Sequence, residues 1–236
     1  MKKIRIRKSF ANPIKTYNES ASSFWFDDID TDFSYKVNNK RVVDHTKLAA
    51  AQRAIGNFVK IVTKKDIPVV FGGSTSMTDG TTVVIASDIS DKNFDVAVGL
   101  ALHEGAHIKL TDFGALTNYM NTHVIAELST FKNIVNIIED RRIDDYVFKS
   151  SPGYRAYYHK MYDHYFNNSD ITKALYSKEF RDSTNTNHYI FRLANMTNLA
   201  SDPDALVGLR EIITMIDIKS IGRLATTNDV LNLAQE

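Results

Sequence analysis

Two histidines and a glutamate near the middle of the chain have the types and spacing of a metal-dependent catalytic motif. Residues 103–107 read His-Glu-Gly-Ala-His. Histidines four positions apart share one face of a helix, so both imidazoles can bind the same zinc ion. The glutamate between them can accept a proton from water and pass it to a leaving amine. The motif predicts Zn²⁺ on His103 and His107, with Glu104 as the general base of a hydrolase.

The residues around the motif predict a buried helix over residues 94–110. A helix that is apolar on nearly every side is an interior helix, and polar side chains on it need partners because an unpaired buried charge is costly. A metal ion would supply such partners. Gly99 and Gly105 lower helix propensity, so we expect close contacts with neighbouring helices there. The apolar positions are Val96, Val98, Leu100, Ala101, Leu102, Ala106, Ile108 and Leu110.

A catalytic zinc ion usually has a third protein ligand, which must come from another part of this chain. The extended metzincin pattern would place a histidine or aspartate at position 113, which is Phe113. A predicted helix over about residues 124–148 offers acidic groups instead. Glu139 follows an apolar stretch directly, and as third ligand it would complete a His₂Glu site.

Other acidic residues remain candidates for this position. Asp140 as ligand, with Asp144 one turn later as its outer partner, is the rival register on the same helix. Asp140 or Asp144 can orient a zinc-bound histidine through the free ring nitrogen, and Arg142 can pair with these carboxylates. Glu127 and Asp112 are weaker candidates.

These segments together resemble the gluzincin-type metallopeptidase domain of bacteria and their phages. The resemblance rests on the Thr81–Ala86 strand, the His103–His107 motif, and the acidic helix segment Asn136–Asp144. It implies zinc on His103, His107 and Glu139, with Glu104 as base. It also implies a protein or peptide substrate, and as partners a MoxR-type AAA+ ATPase or a von Willebrand factor A domain.

Two further roles follow from this resemblance. The strand before the active-site helix of such enzymes often lies at a sheet edge, where an extended substrate adds to it. Val83, Val84 and Ile85 are therefore candidates for substrate pairing. A tyrosine or histidine opposite the zinc commonly stabilises the oxyanion. The candidates after Pro152-Gly153 are Tyr154, Tyr157, Tyr158, Tyr162, Tyr165, His159 and His164.

Composition excludes several other classes of function. The 236 residues include no cysteine, so disulfides, thiolate metal sites and cysteine nucleophiles are excluded. The net charge is +1, which gives no reason to expect nucleic acid or membrane as a partner. Alternating Ile and Arg in residues 1–8 are typical of a half-buried strand rather than a nucleic-acid-binding arm. We expect a cytoplasmic protein, of a bacterium or of a phage-infected host cell.

The predicted fold is α+β and zincin-like: one domain over residues 1–236, with a small sheet packed on the motif helix and a second ligand-bearing helix. Its zinc-site core covers about residues 1–150, and a helical subdomain covers about residues 151–236. Strands are predicted near 35–37, at 69–71 and at 81–86. The predicted helices span about 46–62, 94–110, 124–148, 154–166, 170–179, 185–199, 204–217 and 227–235.

The function predicted from the sequence is zinc-dependent hydrolysis of peptide bonds through activated water. The alternative is a zinc-stabilised module that does not cleave, and that serves as a binding or scaffold partner of an ATPase or a phage assembly. Glu104 favours the enzyme, because metal binding alone does not require a base beside the first histidine.

Overall fold

The computed structural model describes residues 45–72, 76–85 and 93–236. The alternating segment 1–8 and the strand predicted near residues 35–37 lie outside the described residues. The described part is a mixed α/β fold, mostly helical, with a small three-stranded sheet. The predicted combination of a small sheet with many helices is confirmed at this level.

The described elements run in the following order. The helices are α1 (His45–Thr63), α2 (Phe94–Leu110), α3 (Phe113–Thr122), α4 (Leu128–Ser150), α5 (Arg155–Tyr165), α6 (Ser169–Tyr176), α7 (Thr186–Ala194), α8 (Leu209–Ile216) and α9 (Thr227–Gln235), with 3₁₀ turns at Pro152–Tyr154 and Ile218–Arg223. The strands are β1 (Val69–Phe71), β2 (Met77–Thr78) and β3 (Val83–Ile85), and all three lie between α1 and α2.

Helix α3 is absent from the sequence prediction, and α4 begins later than predicted. The side chain of Asp112 accepts a hydrogen bond from the backbone N–H of Ala115 at 2.8 Å, which caps the first turn of α3. Aspartate is a favoured N-cap, so the start of α3 had a local signal. A prediction also fails at α8, which begins after Gly208 and not at residue 204, because Gly208 has φ of 78°. This left-handed conformation interrupts a helix.

Strand β3 is the central strand of the described sheet. It pairs in parallel with β1, with Val69 opposite Val83, and antiparallel with β2, with Met77 opposite Val84. The prediction that Val83, Val84 and Ile85 offer a free edge to a substrate is therefore wrong. Main-chain groups on both sides of the strand are already paired with neighbours, so an extended peptide cannot add to it there.

Two apolar cores hold the helices together. The first lies between α1, the sheet, α2 and α5, and the second lies among α3, α4, α7, α8 and α9. Helix α4 contributes to both: Ile143 and Val147 lie in the first core, and Val135 and Ile138 lie in the second. Helix α5 follows the predicted division near residue 151 and packs against α2. The contact between α2 and α4 thus lies between the two cores.

The two glycines of α2 allow its neighbours to approach closely, as predicted. A Cβ atom on Gly99 would lie 2.6 Å from the backbone oxygen of Tyr157 on α5. A Cβ atom on Gly105 would lie 2.8 Å from Cγ1 of Val59 on α1. Both distances are shorter than a van der Waals contact, so neither position accepts a side chain unless a helix moves. The glycines therefore set how deeply α2 is held between α1 and α5.

None of the helices in the described residues is both long enough and apolar enough to cross a membrane.

A glycine-to-alanine pair tests this packing. Gly99→Ala should lower the free energy of unfolding by roughly 1–3 kcal/mol, the usual cost of overpacking, because the new methyl group meets backbone atoms. Gly56→Ala on α1 is the matched control, since a Cβ atom there meets nothing within 4 Å. It should stabilise the protein by about 0.5–1 kcal/mol through helix propensity. Denaturant unfolding followed by circular dichroism measures both, and equal stabilisation by the two changes would contradict the close contact.

Candidate metal centre

Helix α2 presents His103 and His107 on the side that faces α4. Their Nε2 atoms lie 3.3 Å apart, and the two rings meet edge to face at 88° with centroids 4.8 Å apart. His107 is buried, and the His103 side chain is 13% exposed. The four-residue spacing of the motif therefore produces two ring nitrogens that converge, as a shared ligand would require.

Asp140 on α4 adds a carboxylate oxygen to the two ring nitrogens. Its Oδ1 lies 3.6 Å from Nε2 of His103 and 3.2 Å from Nε2 of His107. Bonds of about 2.0–2.1 Å in a tetrahedral zinc site separate ligand atoms by roughly 3.3 Å. The three donor atoms match that spacing and the ligand types that zinc prefers. They fit a divalent cation, with one coordination position left for water.

Glu139 does not lie with the two histidines, contrary to the prediction that it is the third ligand. Its side chain is fully buried and forms an ion pair with Arg142, with both carboxylate oxygens engaged at 2.7 Å. The prediction assumed that the apolar stretch before Glu139 faces the metal. That stretch, which includes Ile137 and Ile138, packs instead in the second core. One residue further along the helix, Asp140 faces the histidines.

Arg142 has a different role from the predicted one as well. Its guanidinium binds Glu139 and the backbone oxygen of Leu110, at 2.9 Å, at the end of α2. The two weaker acidic candidates lie at helix starts. Asp112 caps α3, and Glu127 stands at the N-cap of α4, where it accepts a hydrogen bond from Thr130.

His103 is oriented by a carboxylate, as the rival register predicts. Its Nδ1 lies 2.8 Å from Oδ1 of Asp144. A carboxylate accepts hydrogen bonds, so we assign a ring proton to Nδ1, and Nε2 is the nitrogen that a metal would bind. Asp144 is held in turn by the hydroxyl of Tyr162, and Arg141 donates to that hydroxyl oxygen. Arg141 also donates to the backbone oxygen of Ala194 at 2.9 Å.

His107 is oriented by a hydroxyl. Its Nδ1 lies 3.0 Å from Oγ1 of Thr111, and that hydroxyl donates to Oε1 of Glu139 at 2.7 Å. Because the single hydroxyl proton points to Glu139, the oxygen can only accept from the histidine ring. This assigns a ring proton of His107 to Nδ1, so Nε2 is the nitrogen that a metal would bind, as in His103. Glu139 therefore supports the centre through Thr111.

The electrostatics of the centre favour a cation. Burial by itself would raise the pKa of Asp140, but hydrogen bonds from His103 and His107 outweigh it and hold that pKa well below its usual range. Burial would lower the pKa of His103, yet the charges of Asp144 and Asp140 raise it well above its usual value. The negative charges of Asp140 and Asp144 thus stabilise positive charge at the ring nitrogens, and a divalent ion bound there would provide that charge.

Glu104 differs from the other acidic groups of the centre because no hydrogen bond from the described residues holds its carboxylate. It is half-buried, and no described residue makes a hydrogen bond to its side chain. Burial raises its pKa, and the nearby His103 and His107 only partly offset this effect. A carboxylate that is close to the two rings, unbonded and more basic than usual is suited to accept a proton from water.

Most residues of the aromatic run after Pro152-Gly153 take structural positions. Tyr154 and Tyr157 pack against Phe58, and His159 packs edge-on against Phe148. Tyr165 is 43% exposed, and its ring contacts that of His164. These rings pack helices together or lie at the surface.

Two other tyrosines of that run lie near the centre. Tyr162 is committed to Asp144. The buried hydroxyl of Tyr158 makes no hydrogen bond with the described residues. Burial raises the pKa of Tyr158, which lies close enough to Asp144 and Glu104 to interact with their charges. The run therefore supplies a support for His103 at Tyr162 and an unpartnered buried hydroxyl at Tyr158.

Two supporting residues escape the sequence analysis. Thr111 lies four residues after His107, so the spacing argument that pairs the histidines could have identified it. Thr227 also donates to Glu139, at 3.1 Å, from a position 88 residues away. No local pattern points to Thr227, because its role depends on where α9 packs.

Comparison of the chain with known protein families, with curated proteins and with solved structures gives no match.

An aspartate pair tests the geometry of the centre. Asp140→Ala removes a donor atom and should weaken zinc binding by more than the roughly 100-fold that loss of an outer partner costs. Asp145→Ala is the matched control on the same helix, because Asp145 pairs with Lys149 at 2.6 Å and not with a histidine. Competition with a chromophoric chelator measures both affinities. Equal zinc affinity in the two variants would remove Asp140 from the centre.

Proposed function

We propose that this chain is a zinc-dependent metallopeptidase of the zincin type. The observation that supports it best is the convergence of Nε2 of His103, Nε2 of His107 and Oδ1 of Asp140 at 3.2–3.6 Å from one another. The other nitrogen of each ring has a hydrogen-bond partner that fixes its proton. A donor set of this kind with one open position is typical of catalytic zinc rather than of fully closed structural sites.

In this proposal the residues of the chain divide the work. His103, His107 and Asp140 hold the ion. When bound, zinc acts as a Lewis acid and makes water a better nucleophile at neutral pH. Glu104 takes a proton from water as the water oxygen adds to the carbonyl carbon of the substrate. It then gives that proton to the amide nitrogen as the carbon–nitrogen bond breaks, so that the amine leaves neutral.

Asp140 as third ligand changes the proposed donor set from His₂Glu to His₂Asp. The charge and the oxygen donor are the same, so the Lewis-acid chemistry is retained. Asp144 lies one turn after Asp140 on the same helix and holds His103, so one helix supplies both a ligand and the partner of another ligand. This arrangement supports a metal-binding role for the two histidines over a purely structural one.

The proposed substrate is a protein or peptide, and the resemblance of the motif segments to gluzincin-type domains supports that choice. The same resemblance supports an ATPase of the MoxR type or a von Willebrand factor A domain as partner. Because β3 is paired on both sides, the substrate must bind elsewhere than along Val83–Ile85.

Replacing the base tests catalysis separately from metal binding. Glu104→Gln keeps the size and hydrogen-bonding capacity of the side chain but cannot accept the proton. Zinc content and the unfolding transition should match those of wild type, while cleavage should fall by about 10²–10⁴-fold, the usual contribution of a general base. Cleavage is measured by mass spectrometry on unfolded casein, on a peptide library and on the protein itself.

The control for this test is Glu179→Gln, which changes an exposed glutamate outside the centre and should leave the cleavage rate unchanged. Cleavage by wild type that Glu104→Gln retains in full would contradict the assigned base. Zinc binding without cleavage of any substrate in the panel would favour the non-cleaving, zinc-stabilised module.

A further inference from the structure

Thr227 lies at the beginning of the C-terminal helix α9, and its side chain reaches into the support of the metal centre. The residue is 2% exposed. Its hydroxyl donates to Oε1 of Glu139 at 3.1 Å, and the backbone N–H of Asp112 donates to the hydroxyl oxygen at 2.9 Å. One side chain thus joins α9, α4 and the turn between α2 and α3.

The carboxylate that Thr227 contacts is the meeting point of four donors. Thr111 and Thr227 donate to Oε1 of Glu139, and Arg142 donates to both of its oxygens. Arg142 also donates to the backbone oxygens of Leu110 and, at 3.4 Å, of Ala225. The end of α2 and the segment that precedes α9 are therefore held by the same ion pair. Its carboxylate is fully buried, so water does not replace a lost donor.

The direction of these hydrogen bonds determines how His107 is presented. Both threonine protons point to Glu139, so each threonine oxygen is left to accept a hydrogen bond. Thr111 accepts from Nδ1 of His107, and Thr227 accepts from the N–H of Asp112, the residue after Thr111. Thr227 thereby fixes both the carboxylate that orients the Thr111 hydroxyl and the backbone that carries Thr111.

We propose that Thr227 is a positioning residue of the metal centre, which makes the C-terminal helix part of that centre. By holding Glu139 and the Thr111–Asp112 turn together, it keeps His107 in the orientation in which Nε2 can bind the ion. This inference rests on the metal site of the proposed function, and it adds that metal affinity depends on one hydroxyl group of α9.

Substitution of the hydroxyl tests the proposal. Thr227→Val keeps the shape of the side chain and removes the donor, and Thr227→Ser keeps the hydroxyl. Competition with a chromophoric chelator at neutral pH should give a zinc affinity about 10–100-fold lower for Thr227→Val, the usual effect of losing an outer partner. Thr227→Ser should bind zinc nearly as tightly as wild type. The visible spectrum of the Co²⁺-loaded protein should change in Thr227→Val alone, because it reports ligand geometry directly.

The neighbouring threonine provides a matched control. Thr226 is exposed and caps α9, since its hydroxyl accepts from the N–H of Asp229 and donates to the Asp229 carboxylate. Thr226→Val should lower the stability of α9 while zinc affinity stays at the wild-type value. A loss of affinity equal to that of Thr227→Val would show that any weakening of α9 has this effect, and would overturn a specific role for the Thr227 hydroxyl.

A double mutant tests the path of the effect. Thr111→Val should also weaken zinc binding, and the two valine changes together should cost less than the sum of the single costs, because both act through Glu139. If Thr227→Val does not fold, Thr227→Ala replaces it in every measurement. Unchanged zinc affinity in the folded Thr227 variant overturns this inference and leaves the proposed function standing. Absence of zinc binding in wild type overturns both.

Discussion

Helix α4 runs between the two apolar cores and carries charged side chains into the interior. Glu139, Arg141, Arg142 and Asp144 are all between 0% and 6% exposed. A charge removed from water is destabilising unless it is paired and hydrogen-bonded, and removal of one partner leaves the other uncompensated. Each of these four groups has such a partner: Glu139 with Arg142, and Asp144 with Tyr162 and Arg141. This requirement fixes the rotation of α4 and the positions of the helices that supply the partners.

The two histidines depend on different parts of that arrangement. His103 is held through Asp144, Tyr162 and Arg141, a path that leads into α5 and ends at the backbone of Ala194 on α7. His107 is held through Thr111 and Glu139, a path that leads to α9. The groups that bond the two rings, Asp144 and Thr111, are therefore held in turn by residues of the helical C-terminal half, although both rings stand on α2. A buried polar network gives less stability than an apolar core of equal size, but here it specifies one geometry.

The proposed base, Glu104, is not held by hydrogen bonds in the way that the two histidines are. A general base must exchange protons and approach its substrate, so a carboxylate held by several donors would be poorly suited to the role. Glu104 is the acidic group of the centre to which the described residues make no hydrogen bond, and burial raises its pKa. Rigid ligands beside a free carboxylate are what the proposed division between metal binding and proton transfer requires.

Features that depend on local spacing could be predicted from the residues alone. The four-residue spacing of His103 and His107 places them on one helical face, and the glycines of α2 predicted the close helix contacts, because both follow from helix geometry alone. Helix geometry alone could not decide between Glu139 and Asp140 as the third ligand. Adjacent residues on a helix point about 100° apart, and the packing of α4 in the second core determines which of the two faces the histidines. The strand at residues 83–85 was predicted, but its central place in the sheet depends on pairing with β1 and β2. The role of Thr227 could not be predicted for the same reason. It is 88 residues from Glu139, so no local spacing relates the two, and their contact exists only because α9 packs on α4.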